Sequence, residues 1–217
     1  TFDFAYRDKD GNYHEERDLT PQAFYQKYVG LSLRDYVAVI NEPTADKPLD
    51  TPIQFHAVEN MAGCDMKALN LSQEALEELC VKQLKNGQAI WFACDAGAFG
   101  ARKEGIWDPA SVQYEALLGG FSTAMPKGKR LEYNSSSATH AMLLTGVHFD
   151  KEGKPDRWKI ENSWGKDVGD KGYFVCSEAY FQEFVYEAVI DRRHFSPAQL
   201  AMLEKAPVVI NAWDEDY

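Results

Sequence analysis

The chain has 217 residues, of which 45% are hydrophobic and 13% aromatic, so it can bury a sizeable core as one large domain or two small ones. Its formal net charge of −11 argues against a dedicated nucleic-acid binder, because phosphate contacts require clustered Lys and Arg and the sequence has no such cluster. The sequence contains no apolar run of about 18 residues, so no membrane-spanning helix is predicted.

The first half of the chain is predicted to alternate helices and strands. Thr20 before Pro21 indicates a helix start, and Gly30 indicates its end. A second helix is predicted from Ser72 to the Asn-Gly pair at 86–87, because Leu76, Leu79, Cys80 and Leu84 fall on one helical face. The other predictions here are a buried strand at 36–40, a loop at 41–52, a strand at 88–95 and a short helix within 109–119.

The last third of the chain carries the strongest strand patterns. Segments 138–150, 157–164 and 171–177 are predicted strands joined by short turns, which favours an antiparallel sheet. A short helix around 177–184, a strand at 185–191 and a helix capped by Ser196 are predicted to follow, before a tail from residue 207.

Two polar residues are predicted to meet at one edge of this sheet. If the first two strands form a hairpin, His140 lies opposite Asn162 when the turn is centred on residue 151, inside the turn-like DKEGKPD stretch. The Asn side-chain oxygen can then accept one imidazole N–H while the other ring nitrogen faces outward, and Trp164 can shield this bond from water. A lone His on an apolar strand is more often a core histidine with a structural hydrogen bond than a catalytic residue, and the Asn-Ser-Trp-Gly context shifts the balance towards catalysis.

These segments resemble a known family. THAMLLTGV (139–147), RWKIENSWG (157–165) and KGYF (171–174) are similar to the His and Asn segments of papain-like cysteine peptidases. The closer resemblance, over nearly the whole chain, is to the bleomycin hydrolase and aminopeptidase C branch, which also has counterparts of YRDKDGNYH, AIWFACD, EFVYEAVIDRRH and the terminal AWD. It implies an α+β papain-like fold whose antiparallel sheet or barrel lobe carries the catalytic His and Asn, with flanking helices.

The resemblance also implies an organisation and a mechanism. Residues 1–137 are expected to be a mixed segment with family insertions, 138–191 the His/Asn sheet and 192–217 a C-terminal helix and tail. The expected activity is that of a cysteine-type aminopeptidase, in which a thiolate attacks the peptide carbonyl, His140 carries the proton and Asn162 orients the imidazole.

None of the four cysteines lies in the sequence context of the family nucleophile. The chain is therefore expected to be a C-terminal portion that is inactive alone, with the nucleophile on residues not present. Cys94 is the alternative, because Gln88 precedes it by the spacing that the family keeps between its oxyanion Gln and its nucleophile. The apolar AIWFA between them favours a buried strand instead, and Cys64 and Cys176 are expected to be structural.

The tail suggests how cleavage is limited to the first residue of a substrate. In the family the C-terminus is expected to enter the cleft and hold the substrate amino group, a role that here falls to Asp214, Glu215, Asp216 and the terminal carboxylate of Tyr217. The tail departs from the family ending after Asp214, so a solvated acidic end and an endopeptidase relative both remain open.

The expected partners are peptides with a free N-terminus and further copies of the chain, since the resemblance implies a hexamer. No metal or other cofactor is expected, because the histidines lack metal-ligand spacing and the cysteines form no CxxC pair. The four scattered cysteines indicate no dense disulfide framework, which favours a reducing, cytoplasmic location. Two alternatives from other classes are a catalytically inactive papain-like binding or assembly module and an unrelated antiparallel sheet protein with a chance Asn-Ser-Trp-Gly.

Overall fold

The computed structural model describes residues 1–56 and 65–211 and divides the chain into two compact units, Thr1–Asp35 and Tyr36–Tyr217. In the first unit, strands β1 (Phe2–Arg7) and β2 (Tyr13–Leu19) form an antiparallel hairpin. Helix α1 (Pro21–Phe24) continues as a π-helical turn, Tyr25–Val29. The Thr20 hydroxyl accepts the N–H of Ala23, and Gly30 ends the helix with φ 63°, as predicted.

The second unit contains one large, mostly antiparallel sheet. Its eleven described strands are β3 (Tyr36–Ile40), β4 (Thr51–Phe55), β5 (Met66–Asn70), β6 (Ile90–Cys94), β7 (Gly100–Ala101), β8 (Ile106–Trp107), β9 (His140–Phe149), β10 (Pro155–Glu161), β11 (Tyr173–Ser177), β12 (Val185–Asp191) and β13 (Val208–Ile210). Their order is β13-β4-β5-β3-β12-β6-β9-β10-β11-β8-β7. Only the β3–β5, β4–β13 and β8–β11 pairs of this described sheet are parallel.

The helices of this unit pack with the sheet or connect its strands. They are α2 (Gln73–Lys85), α3 (Tyr114–Leu117), α4 (Lys127–Glu132), α5 (Glu178–Phe184) and α6 (Pro197–Met202). Ser196 caps α6 by accepting a backbone N–H bond, as the sequence predicted, and Ser72, the predicted start of the second helix, caps α2 in the same way. Within the two described ranges, no helix combines the length and the apolar character needed to cross a bilayer.

The core lies between the sheet and helices α2 and α5. Leu76, Leu79 and Cys80 on α2 are fully buried, which confirms the predicted apolar face. Trp158 on β10 stacks on Phe181 of α5 with ring centroids 4.1 Å apart. Burial of each such side chain contributes about 1.5–3 kcal/mol to the free energy of unfolding. The packing of α2 and α5 therefore stabilises the sheet whose strands lead to His140 and Asn162.

The three predicted strands of the last third are β9, β10 and β11, and they are antiparallel neighbours as predicted. The turn between β9 and β10 is closed by Asp150, whose carboxylate accepts the N–H groups of Glu152 and Lys154, and Gly153 adopts φ 80°. The fold is therefore the α+β architecture that the sequence indicated, with the predicted sheet as one part of a larger one.

Two details of the sequence prediction were wrong. Glu161 pairs with Leu143, so the ladder would bring Asn162 towards Met142 and not directly opposite His140. The reason is the position of the turn: Phe149 pairs with Pro155, so the turn is centred on residue (149 + 155)/2 = 152 and not on residue 151. The two irregularities along β10 shift the register by one residue and back again, and β10 ends before Asn162. The loop predicted at 41–52 also ends early, because its last two residues begin β4.

Candidate active site

His140 is the first residue of β9, a strand with neighbours on both sides. Its backbone position is fixed by the preceding residue, because the Thr139 N–H donates to the Cys94 carbonyl at 3.0 Å. The Thr139 hydroxyl in turn accepts the N–H of Ala96 at 3.1 Å. The imidazole therefore projects from a backbone that is tied to the adjacent strand β6.

A hydrogen bond joins His140 to Asn162. Their Nε2 and Oδ1 atoms are 2.9 Å apart, and the same oxygen accepts the N–H of Ser163 at 2.7 Å. A carboxamide oxygen only accepts, so Nε2 must carry the proton. The Asn162 backbone N–H donates to the Gly172 carbonyl, which fixes the residue beyond the end of β10. In the described part of the chain Nδ1 of His140 has no hydrogen-bond partner, so it is the nitrogen free to exchange a proton.

Trp164 covers the imidazole. The two rings are stacked with centroids 4.9 Å apart and an interplanar angle of 18°. Trp164 is held in turn by Trp107 and Phe174, whose ring centroids lie 5.9 and 5.7 Å away. The structure thus brings together the three residues that the sequence singled out, although His140 and Asn162 do not face each other across the ladder.

A buried hydroxyl network supports the segment that leads into His140. Ser136 donates to the Asp95 carboxylate at 2.7 Å, and its oxygen also lies 2.7 Å from the Tyr186 hydroxyl. Ser136 and Tyr186 are both buried. These residues were not predicted from the sequence, because one Ser within the polar run 135–137 carries no periodic signal. The available signal was the position of Ser136 four residues before His140.

The described cysteines lack the features of a nucleophile. Cys94 lies across from His140 on β6, but it is fully buried. Burial raises the pKa of its thiol to about 12, although the hydrogen bond with the Tyr180 hydroxyl acts to lower this pKa. Burial also raises the pKa of the Cys80 and Cys176 thiols far above the ordinary value. Thiolates form at such sites with difficulty, so these residues behave as core side chains.

Gln88 does not lie where an oxyanion donor to Cys94 would be needed. It precedes β6, whereas Cys94 is the last residue of that strand. Its side chain lies 3.4 Å from the Asp191 carboxylate and accepts from His194 at 3.1 Å. Cys64 lies outside the described residues.

The tail residues proposed to bind a substrate amino group, Asp214, Glu215, Asp216 and Tyr217, lie outside the described residues. In the ranges 1–56 and 65–211, no group of three or more His, Cys, Asp or Glu side chains could hold a metal ion.

A family model and the sequences of known proteins both match this chain over nearly its whole length. The model of the peptidase C1-like family matches residues 1–215. Aminopeptidase C of Streptococcus thermophilus is 44% identical over 214 residues, which are 98% of this chain and 48% of that protein. Bleomycin hydrolase of Gallus gallus is 38% identical over 224 residues, covering 99% of this chain and 48% of that protein.

A solved structure gives the same result for the fold. The crystal structure of PepW from Lactobacillus rhamnosis HN001 superposes with a TM-score of 0.92 at 43% identity, over 99% of this chain and 48% of that one. The chain therefore spans about half the length of the relatives it matches.

Proposed function

Because the chain belongs to the peptidase C1-like family, we propose that it supplies the His–Asn pair of a cysteine-type aminopeptidase. The observation that carries this proposal is the 2.9 Å hydrogen bond between His140 and Asn162 beneath Trp164. A core histidine needs one satisfied nitrogen, but this one also keeps Nδ1 without a partner in the described residues, as a proton-transfer group requires.

The nucleophilic Cys is proposed to lie outside these 217 residues. Burial of Cys80, Cys94 and Cys176 supports this, as does the greater length of the relatives. In the proposed mechanism the thiolate attacks the peptide carbonyl while His140 holds the proton as imidazolium, and His140 then protonates the leaving amine. Since Nε2 already donates to Asn162, Nδ1 is the atom that exchanges this proton.

The test uses the full-length gene product and an aminoacyl fluorogenic substrate, with and without iodoacetamide. We expect hydrolysis that alkylation abolishes, and peptide mass mapping should find the modified Cys outside this chain. A Cys94→Ala variant of the full-length protein should remain active and remain sensitive to the reagent. Loss of activity in that variant with its fold intact would instead assign the nucleophile to Cys94, and an inert full-length protein would favour the binding-module alternative.

Restriction to the first residue of a substrate is a separate proposal. The names of the relatives support aminopeptidase action, and the carboxylates of Asp214, Glu215, Asp216 and Tyr217 could hold a substrate ammonium group. Deletion of residues 212–217 from the full-length enzyme should then permit cleavage of peptides with a blocked N-terminus. An unchanged requirement for a free N-terminus would refute the role of the tail.

The proposed setting is a cytoplasmic homo-oligomer, a hexamer by family resemblance, that acts on peptides. Native mass measurement of the full-length protein tests the assembly, since a monomer would contradict it. Cell fractionation tests the location.

A further inference from the structure

The hairpin of β7 and β8 is fixed next to the candidate active site. Its turn, residues 102–105, is closed by a bond from the Gly105 N–H to the Ala101 carbonyl at 2.9 Å. The Lys103 carbonyl accepts from Gly169, and the Gly105 carbonyl accepts from Val175 on β11. A Cβ on Gly105 would lie 2.6 Å from the Gly169 Cα, so the turn and the loop after Trp164 are closely packed.

This turn places a positive charge over Trp164. The Arg102 guanidinium carbon lies 4.6 Å from the centroid of a Trp164 ring, in a cation–π contact, and Arg102 is exposed. In the part of the chain that the structure describes, no carboxylate lies within ion-pair distance of Arg102. Among the described residues the exposed guanidinium therefore contacts an indole face and no carboxylate, in a chain with 34 acidic residues and only 23 Lys and Arg.

The distance to the reacting bond limits what the ligand can be. Because the guanidinium and the imidazole lie 4.6 and 4.9 Å from the same indole, the charge is within about 10 Å of His140, or about three residues of extended peptide. An aminopeptidase leaves one residue on the N-terminal side of the scissile bond. Substrate groups one to three residues further along therefore belong to the leaving peptide.

We propose that Arg102 is a specificity-determining residue that binds a carboxylate on the leaving-group side of the scissile bond. The carboxylate is an acidic side chain near the cut or the free C-terminus of a short peptide. The inference rests on the proposed aminopeptidase function and adds a substrate preference to it. Trp164 links the proposed carboxylate site to the candidate active site, since its indole stacks on the His140 imidazole and also contacts the Arg102 guanidinium.

The experiment measures kcat/KM of the full-length enzyme on matched peptides by release of free leucine. Leu-Asp-Ala-amide against Leu-Asn-Ala-amide tests a side-chain carboxylate, and Leu-Ala-Ala against Leu-Ala-Ala-amide tests a C-terminal one. The wild type should prefer at least one acidic member by about two- to fivefold, as expected for an exposed ion pair, and salt should reduce the preference. Arg102→Gln should bring that ratio to about one, and Arg102→Lys should restore part of it.

Lys103→Gln is the matched control, since it removes the same charge from the same turn at a residue without a contact to the indole. It should keep the wild-type ratios; an equal loss would show a general charge effect and overturn the role of Arg102. Hydrolysis of the neutral peptides without any carboxylate preference would refute this inference alone. Hydrolysis of none of the peptides would refute the proposed function and this inference with it.

Discussion

Replacement of Asn162 by Ala removes the oxygen that accepts the His140 Nε2–H at 2.9 Å. Nothing else in the described residues bonds to this imidazole, so the ring would lose its fixed orientation while its stacking on Trp164 remained. Catalysis should suffer more than substrate binding, because the imidazole is charged during the reaction and the bond is then strongest.

The size of the effect follows from the type of bond. Hydrogen bonds to charged groups contribute about 1.5–3 kcal/mol, and each 1.36 kcal/mol changes a rate tenfold, so kcat should fall by about 10- to 150-fold with little change in KM. The loss remains partial because Asn162 orients the proton carrier and does not itself exchange a proton.

The assay is steady-state hydrolysis of an aminoacyl fluorogenic substrate by the full-length enzyme. Asn86→Ala is the matched control, because Asn86 makes another Asn–His bond, with Nδ1 of His194 at 3.3 Å, away from the candidate site. Its activity should stay within about twofold of wild type, since it removes only exposed bonds, to His194 and to the Lys82 carbonyl. Wild-type kcat in Asn162→Ala, or an equal loss in the control, would refute the assignment of His140 and Asn162.

Three further predictions concern stability of the full-length protein, measured by thermal or denaturant unfolding. Ser136→Ala should destabilise it by about 1–3 kcal/mol by leaving buried polar partners unsatisfied, and an unchanged midpoint would argue against the hydroxyl network. Burial lowers the pKa of Lys127 to about 7, so the folded state binds fewer protons than the unfolded chain between about pH 7 and 10. The free energy of unfolding of the wild type should therefore rise with pH in that window relative to that of Lys127→Met. Parallel pH profiles of the two proteins would contradict this. Gly128→Ala should destabilise the protein by about 1–3 kcal/mol, because its Cβ would lie 2.1 Å from the Pro43 carbonyl oxygen. In the control Gly146→Ala the nearest atom to the new Cβ is 3.6 Å away, so equal effects of the two substitutions would refute the packing argument.

The sequence allowed prediction of the polar pair because local pattern and residue chemistry agreed there. His140 and Asn162 each stand at the end of a segment with period-two apolar residues, and the turn between the strands is rich in charged residues and Gly. The register was predicted wrongly because the exact centre of the turn, set by the pairing of Phe149 with Pro155, and the early end of β10 leave no mark in the hydrophobic pattern. The hydrogen bond forms regardless, since the side chains span the offset.

The extent of the sheet could not be predicted, because it depends on pairs between distant segments. Strand β4 near residue 53 pairs in parallel with β13 near residue 209, and neither has more than five residues. The position of Arg102 over Trp164 is of the same kind, because it arises when the β7–β8 turn packs against the loop after β10. Such contacts are set by tertiary packing, which local propensity does not encode.

The turn that joins β9 to β10 has a practical consequence for protein engineering. It closes on itself through the Asp150 carboxylate, and the ten residues of β9 separate it from His140 by about 30 Å along the strand. A fluorescent label or an affinity group attached to the exposed side chain at position 151, whose N–H takes no part in the bonds to Asp150, would lie at the opposite end of the hairpin from the imidazole. This position offers a way to immobilise or image the intact protein with its chemistry unobstructed.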